Sequence, residues 1–433
     1  MYDRRRFLYT GMLAGTALAA ACRMPSRSSI DSAVADLAET VPPEDVAANE
    51  RFWREVRQAH DLETELVNLN HGLSPAPRSV QATLMAQIKR VNEIPVLREH
   101  DDEAVARREE SRAAAARVLG CTTEEVALVR SGTESLHMAQ LGIDLEPGDE
   151  VLSTREDYWT TWAAWQQRSA REGIVYREID LGGPYPPPDE IVSRFVQAFT
   201  DRTRVVLFCH VTWRTGHILP VREICAAARS RGIETIVDGA HALGHIPFRV
   251  DELGCDYYGT SGHKWLQAPL GTGLLYVRPQ RIRDLWPPPG SWNDGYDSGD
   301  IRKFEVLGSR TPAFDIAIAD AAHVLTQLRV ERKAARLRYL TRRWALRLRE
   351  YPRVRLVTDL EPGRSCGIGA FYVEGLESQR LAELLLERFG IFVGPPSEDA
   401  WSGPPLVRVA PNVFNSVDEI DMFVDAVEDI LPA

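Results

Sequence analysis

Val237-Asp238-Gly239-Ala240-His241-Ala242 is followed, one apolar run later, by Ser261-Gly262-His263-Lys264-Trp265. In the first stretch an acid closes a run of apolar residues. In the second a lysine follows a polar turn. Taken singly, an acid after a strand is a cap or turn residue, and a lysine in a loop is a solvated surface group. The 433-residue chain, however, holds only four lysines, Lys89, Lys264, Lys303 and Lys333, against 47 arginines. A primary amine placed in a Ser-x-His-Lys turn is therefore a marked choice in this sequence.

Outward from these two stretches, short apolar runs recur at 126–129, 150–153, 174–179, 205–209, 235–237, 257–259 and 273–277. Helical patterns lie between them, among them 104–119 and a segment beginning at Thr133. Short apolar runs bounded by helices are the signature of a largely parallel α/β sheet. A helical stretch over 313–350 precedes further strand and helix patterns to the C-terminus. The organisation expected is a signal at 1–22, a Pro- and Ser-bearing tether at 23–49, a large domain with its N-terminal segment at 50–312, a connecting helix at 313–350, and a small α+β domain at 351–433.

The pairing of Asp238 with Lys264 is what pyridoxal phosphate (PLP) chemistry requires. The amine forms a Schiff base with the cofactor, and the carboxylate keeps the pyridine nitrogen protonated. A second signal is Arg130-Ser131-Gly132-Thr133-Glu134-Ser135, a turn from strand into helix whose backbone N–H groups and helix dipole favour an anion.

These motifs resemble the class V aminotransferase family of fold-type I PLP enzymes, in its isopenicillin N epimerase-like and cysteine desulfurase-like branch, over roughly residues 66–425. The resemblance implies a large domain with a mostly parallel central sheet flanked by helices, plus a smaller C-terminal α+β domain. It implies that Lys264 carries the cofactor, Asp238 pairs with the pyridinium, and His241 lies near the phenolic oxygen. Gly132, Thr133, Ser261 and His263 would hold the phosphate, and Tyr158 would stack on the ring. Ser309, in Phe304-Glu305-Val306-Leu307-Gly308-Ser309, would reach the phosphate of a neighbouring subunit, which implies a homodimer. Arg408, in Leu406-Val407-Arg408-Val409, would bind the substrate carboxylate, a task suited to a planar fork. Asn70 and His71 would lie at the site entrance. Trp159, Trp162 and Trp165 read as packing on one helix face. Trp213 departs from the small polar residue that many relatives carry there. The loop at 393–401 lacks the nucleophilic cysteine of desulfurases, and Cys366 lies too early to replace it.

Composition narrows the classes. With 44% hydrophobic and 26% charged residues the chain is a folded soluble body. A net charge of −11 disfavours nucleic acid. Apart from Cys22 the cysteines are Cys121, Cys209, Cys225, Cys255 and Cys366, with no CxxC pair, so neither a disulfide frame nor a metal site is expected.

Residues 1–22 combine a basic start with an apolar stretch too short to span a membrane. Asp3-Arg4-Arg5-Arg6-Phe7-Leu8 resembles a twin-arginine export signal, and Ala19-Ala20-Ala21-Cys22 a lipoprotein cleavage box. The expectation is a periplasmic protein, with Cys22 a candidate lipid anchor. Removing residues 1–21 takes away three Arg and one Asp, moving the net charge from −11 to −13. Exported PLP enzymes of this kind are known in maturation of pyoverdine siderophores. The sequence therefore favours activation of the α-carbon of an amino-acid moiety in a peptide-like metabolite. The alternatives are a free amino-acid epimerase, aminotransferase or C–S lyase, or a non-catalytic lipoprotein that keeps the fold for binding.

Overall fold

The computed structural model describes residues 30, 34, 40–98, 101–183, 186–287, 297–394 and 403–431. The expected signal at 1–22, with Arg4, Arg5 and Cys22, lies outside the described residues, as does most of the 393–401 loop.

A two-residue strand, β1 (Val67–Asn68), precedes the sheet strands β2 (Val126–Val129), β3 (Glu150–Thr154), β4 (Val175–Ile179), β5 (Thr203–Cys209), β6 (Glu234–Asp238), β7 (Tyr257–Ser261) and β8 (Gly273–Val277). The last seven form one sheet in the order β2-β8-β7-β6-β5-β3-β4. β3 to β7 run parallel to one another, and β8 alone runs against its neighbours β2 and β7. β2, β3, β7 and β8 are buried at every residue, because helices cover both faces. That arrangement explains the continuous apolar runs, which a half-solvated sheet would break by alternation.

The small domain is an antiparallel sheet of β9 (Val354–Leu356), β10 (Gly369–Val373) and β12 (Val407–Val409), in the order β12-β10-β9. The helices Ser378–Phe389 and Val417–Ile430 belong to this domain and pack on each other. β11 (Ile391–Phe392) pairs in parallel with β1, Val67 opposite Ile391.

Three features differ from the sequence reading. The stretch 313–350 is two helices, Ala313–Leu328 and Val330–Leu348, broken at Arg329 with φ 63°. The first packs on the large-domain helices Arg78–Glu93 and Asp102–Leu119, the second on Val417–Ile430 of the small domain. No Gly or Pro marks the break, so the helical period runs through it in sequence. Residues 43–47, expected within a tether, form the helix Pro43–Ala47 with Val46 and Ala47 buried. Arg336 of the second helix donates to the Ala47 carbonyl at 3.0 Å, which fixes this early segment to the body. Finally, residues 67–70 are knitted into the small domain through β11 and a bridge from Asn70 to Ala410.

Candidate active site

The parallel strands deliver their C-terminal ends to one cavity of about 570 Å³. This is where ligands collect in open α/β sheets. β2 leads into the helix Gly132–Gly142, whose Ser131 cap accepts from Glu134 N–H. Ser131, Gly132 and Thr133 line the cavity. Gly132 N–H donates to Ser261 Oγ at 3.2 Å, and a Cβ on Gly132 would lie 2.6 Å from that oxygen, so only glycine lets the two turns meet. β3 leads to Tyr158, which caps the helix Trp159–Glu172. The Tyr158 ring meets Trp213 edge-on at 5.6 Å. Of the tryptophans expected to pack, Trp165 is fully buried and Trp162 donates to Thr154 O at 3.2 Å. Trp159 is 58% exposed, its ring 5.8 Å from Tyr158.

Asp238 ends β6, and its Oδ1 accepts from Ala240 N–H at 2.8 Å. Burial raises its pKa, and the nearby Lys264 opposes the shift. Gly239 follows because Tyr258 stands against it: a Cβ there would come within 2.0 Å of the phenol ring. Lys264 lies in the turn after β7. Burial pulls its pKa down to about 8, with Asp238 working the other way and Arg408 adding to the drop. Its Nζ is 3.1 Å from His241 Nε2. His263 is fixed through Nδ1, which donates to Thr272 O at 3.0 Å. Its Nε2 is then an acceptor while the ring is neutral. Burial, and then Lys264, lower its pKa and hold the ring in that form.

On the small-domain side, Arg408 of β12 donates to Trp213 O at 3.0 Å and to Asn70 Oδ1. Both partners are neutral. Burial, and then repulsion from Arg214, lower the guanidinium pKa to about 10. A cation with no carboxylate partner among the described residues, facing a cavity, is a site for an anionic group.

Asn70, Gly132, Thr133, Tyr158, Asp238, His241, Ser261, His263, Lys264 and Arg408 all line this cavity. Two expected residues do not. His71 sits in the turn after Asn70, buried with its ring 4.8 Å from Phe414, and lines a separate pocket. Ser309 lines another cavity beside Arg108, Arg302 and Arg310. Glu305 is anchored by Arg108 and Arg112 on the helix Asp102–Leu119. Within one chain Ser309 does not reach the phosphate turn, so its expected contact requires a second copy.

Sequence reasoning missed Cys209 and Asp157. Cys209 lines the cavity at the end of β5, and its backbone N–H donates to Asp157 Oδ1 at 2.7 Å. Burial, then Asp157 and Asp238, push the Cys209 thiol well up, so it stays protonated. Asp157 is fully buried, and burial raises its carboxyl pKa to about 7, with Asp238 adding to the rise. The available signal was position, since both sit at or just beyond the C-terminal ends of parallel strands.

This donor set fits PLP. A glycine-lined helix N-terminus faces the cavity for the phosphate, a buried carboxyl stands at the end of β6 for the ring nitrogen, and a half-buried amine with a lowered pKa lines the same cavity. Among the described residues no group of His, Cys, Asp and Glu is placed to hold a metal ion.

The profile of the family described as "Aminotransferase class-V" matches residues 66–423. Isopenicillin N epimerase of Streptomyces clavuligerus is 31% identical over 401 residues, covering 87% of this chain and 98% of that protein. A probable cysteine desulfurase of Mycolicibacterium paratuberculosis is 28% identical, covering 74% of this chain and 48% of that protein. Among solved structures, a cysteine desulfurase of Thermococcus onnurineus superposes with a TM-score of 0.76 at 23% identity, covering 91% of this chain and 99% of that one. A cystine C–S lyase in complex with cysteine persulfide superposes at 0.75 and 22%, covering 84% and 97%. With the profile spanning most of its length and the epimerase kinship running end to end, the chain belongs to the class V aminotransferase family.

Proposed function

We propose that this enzyme uses PLP, held at Lys264 and Asp238, to activate the α-carbon of an amino-acid moiety in a peptide-like metabolite. The observation that carries the reading is the convergence of Lys264, Asp238 and Arg408 on one cavity. Bound there, the cofactor supplies an electron-accepting ring that stabilises negative charge left on the α-carbon. The chain's own residues do the rest. Arg408 holds the substrate carboxylate with its fork and is itself held by Asn70 and the Trp213 carbonyl. Lys264 Nζ, with a pKa near 8, takes the α-proton as a base matched to neutral pH. Asp238, at the end of β6, would hold the ring nitrogen with its carboxylate. Trp213 and Tyr158, in edge-on contact, form an aromatic side of the cavity.

Persulfide chemistry is disfavoured. The Cys366 thiol is buried, donates to His245 O and Ala334 O, and has its pKa pushed up to about 12 by burial. Cys209 is likewise held as a thiol. A second reading, epimerisation, rests on the end-to-end similarity to isopenicillin N epimerase. In that reaction the α-proton is returned from the opposite face.

Reduction of the purified protein with borohydride in the presence of PLP should attach the cofactor to Lys264, and Lys264→Ala should abolish both attachment and the yellow colour. A colourless protein that PLP does not restore refutes the reading. Offering amino acids and peptides while following α-proton exchange, keto-acid formation and oxygen uptake separates the branches. Proton exchange alone favours epimerisation and counts against metabolite tailoring by another route. The same proposal includes export through the Arg4-Arg5 signal, a possible anchor at Cys22, and a homodimer in which Ser309 serves the partner's phosphate. Arg4→Lys with Arg5→Lys should strand the protein in the cytoplasm; unchanged export removes the twin-arginine part.

A further inference from the structure

Behind the catalytic lysine the hydrogen-bond donors and acceptors leave little freedom. Trp265 is fully buried, and its Nε1 is 3.2 Å from His241 Nδ1. An indole nitrogen only donates. His241 Nδ1 must therefore accept, and the single proton of the neutral imidazole sits on Nε2. That nitrogen is the one 3.1 Å from Lys264 Nζ. An Nε2–H facing Nζ needs a lone pair to receive it, which a neutral amine has and an ammonium lacks.

The indole is itself held. His245 stacks on it with ring centroids 4.0 Å apart and planes 9° from parallel. Gly367 N–H donates to His245 Nε2 at 2.7 Å, so His245 Nδ1 carries the proton and donates to His241 O at 2.7 Å. The protons on this chain of groups are thus determined from Gly367, just before β10 of the small domain, through to the lysine.

We propose that Trp265 is a positioning residue that locks His241 in its Nε2–H form and so presents Lys264 as a neutral, nucleophilic amine. The groups that bear on the Lys264 charge are Asp238 at the end of β6, Arg408 on β12, the adjacent His263, and His241. Asp238 favours the ammonium, and Arg408 opposes it. Burial keeps His241 itself neutral, with Lys264 and Arg408 acting in the same direction. The indole adds a directional veto to these terms, because an ammonium in this geometry would set two donors against each other. Without the indole N–H, the imidazole is free to place its proton on Nδ1 and to accept from an ammonium at Nε2.

The test uses the full-length protein freed of cofactor. The rate of PLP capture follows the neutral fraction of Lys264, so the wild-type rate should rise with pH through a midpoint near pH 8 and level off above it. Trp265→Phe keeps a ring against His245 but removes the donor. It should move that midpoint up by about one pH unit, with capture about tenfold slower below the midpoint. Nitrogen-15 NMR of the histidine-labelled wild-type protein should find the His241 proton on Nε2. An unmoved midpoint in the variant overturns the proposal, as does a proton found on Nδ1. The NMR experiment decides the matter even if the variant does not fold. Failure to capture PLP at any pH would instead strike the proposed function, so the two failures are distinguishable.

Discussion

At the scale of the residue, the site depends on a few atoms having nowhere else to go. Gly132 is one such place, because a methyl group there meets Ser261 Oγ at 2.6 Å and pushes the helix N-terminus from the turn that carries Lys264. Gly132→Ala should weaken PLP binding at least tenfold with little change in the thermal midpoint, read by cofactor titration and a melting curve. Lys264, Asp238 and His241 were legible in sequence because lysine is scarce and the acid and amine come with recognisable neighbours. Asp157 and Cys209 were not, since a polar residue after a strand looks the same whether it caps a turn or faces a ligand. His71 was misplaced for a geometric reason. Asn70 bridges Ala410 and faces the cavity, while the turn that begins at His71 carries its ring against Phe414. Nor could any sequence pattern give the direction of the Trp265 hydrogen bond, which joins residues on different turns.

At the scale of the element, a buried ionic knot holds the large domain around the sheet. Glu305 accepts from Leu128 N–H of β2 at 2.7 Å, from Arg108 at 3.0 Å and from Arg112, while Arg108 also bonds Asp315 at 3.0 Å. Arg112 is 1% exposed. Glu305→Ala leaves Leu128 N–H without its acceptor and the buried Arg112 paired, among the described residues, with Glu109 alone, so it should cost about 3 kcal/mol in denaturant unfolding. Gly216 plays a steric part between domains. It sits at φ 74°, and a Cβ would fall 2.1 Å from the Ile368 carbonyl oxygen. Gly216→Ala should destabilise by roughly 3 kcal/mol or more, seen as a lower denaturation midpoint. The strands themselves were readable because both faces of the sheet are covered. The break at Arg329 was not, because a single residue at positive φ interrupts a helix without disturbing its apolar period.

At the scale of the whole molecule, pH acts through histidines the fold keeps neutral. Burial lowers His60 and His71 to about 4, and His210, His217 and His245 to about 3. The unfolded chain takes up protons near pH 6.5 that the folded chain refuses, so stability falls as pH drops from about 6.5 toward 4. Asp157, with its pKa raised to about 7, works in the opposite direction. Each histidine contributes up to about 1.4 kcal/mol per pH unit in that window; His241 and His263 act with these five, and the carboxyls of Glu234, Asp238, Asp315 and Asp320, raised by burial, act with Asp157, so the histidines lead seven to five. The thermal midpoint should therefore fall steeply between pH 6.5 and 4.5, a scan that a flat profile would contradict. The stitching of β1 to β11 and of Asn70 to Arg408 also sets an order in time. During synthesis the cofactor-binding strands leave the ribosome early, while residues 67–70 wait on the order of half a minute, at 5–20 residues per second, for their partners to be made. The nascent enzyme would thus be able to bind its cofactor before it has a grip for any substrate.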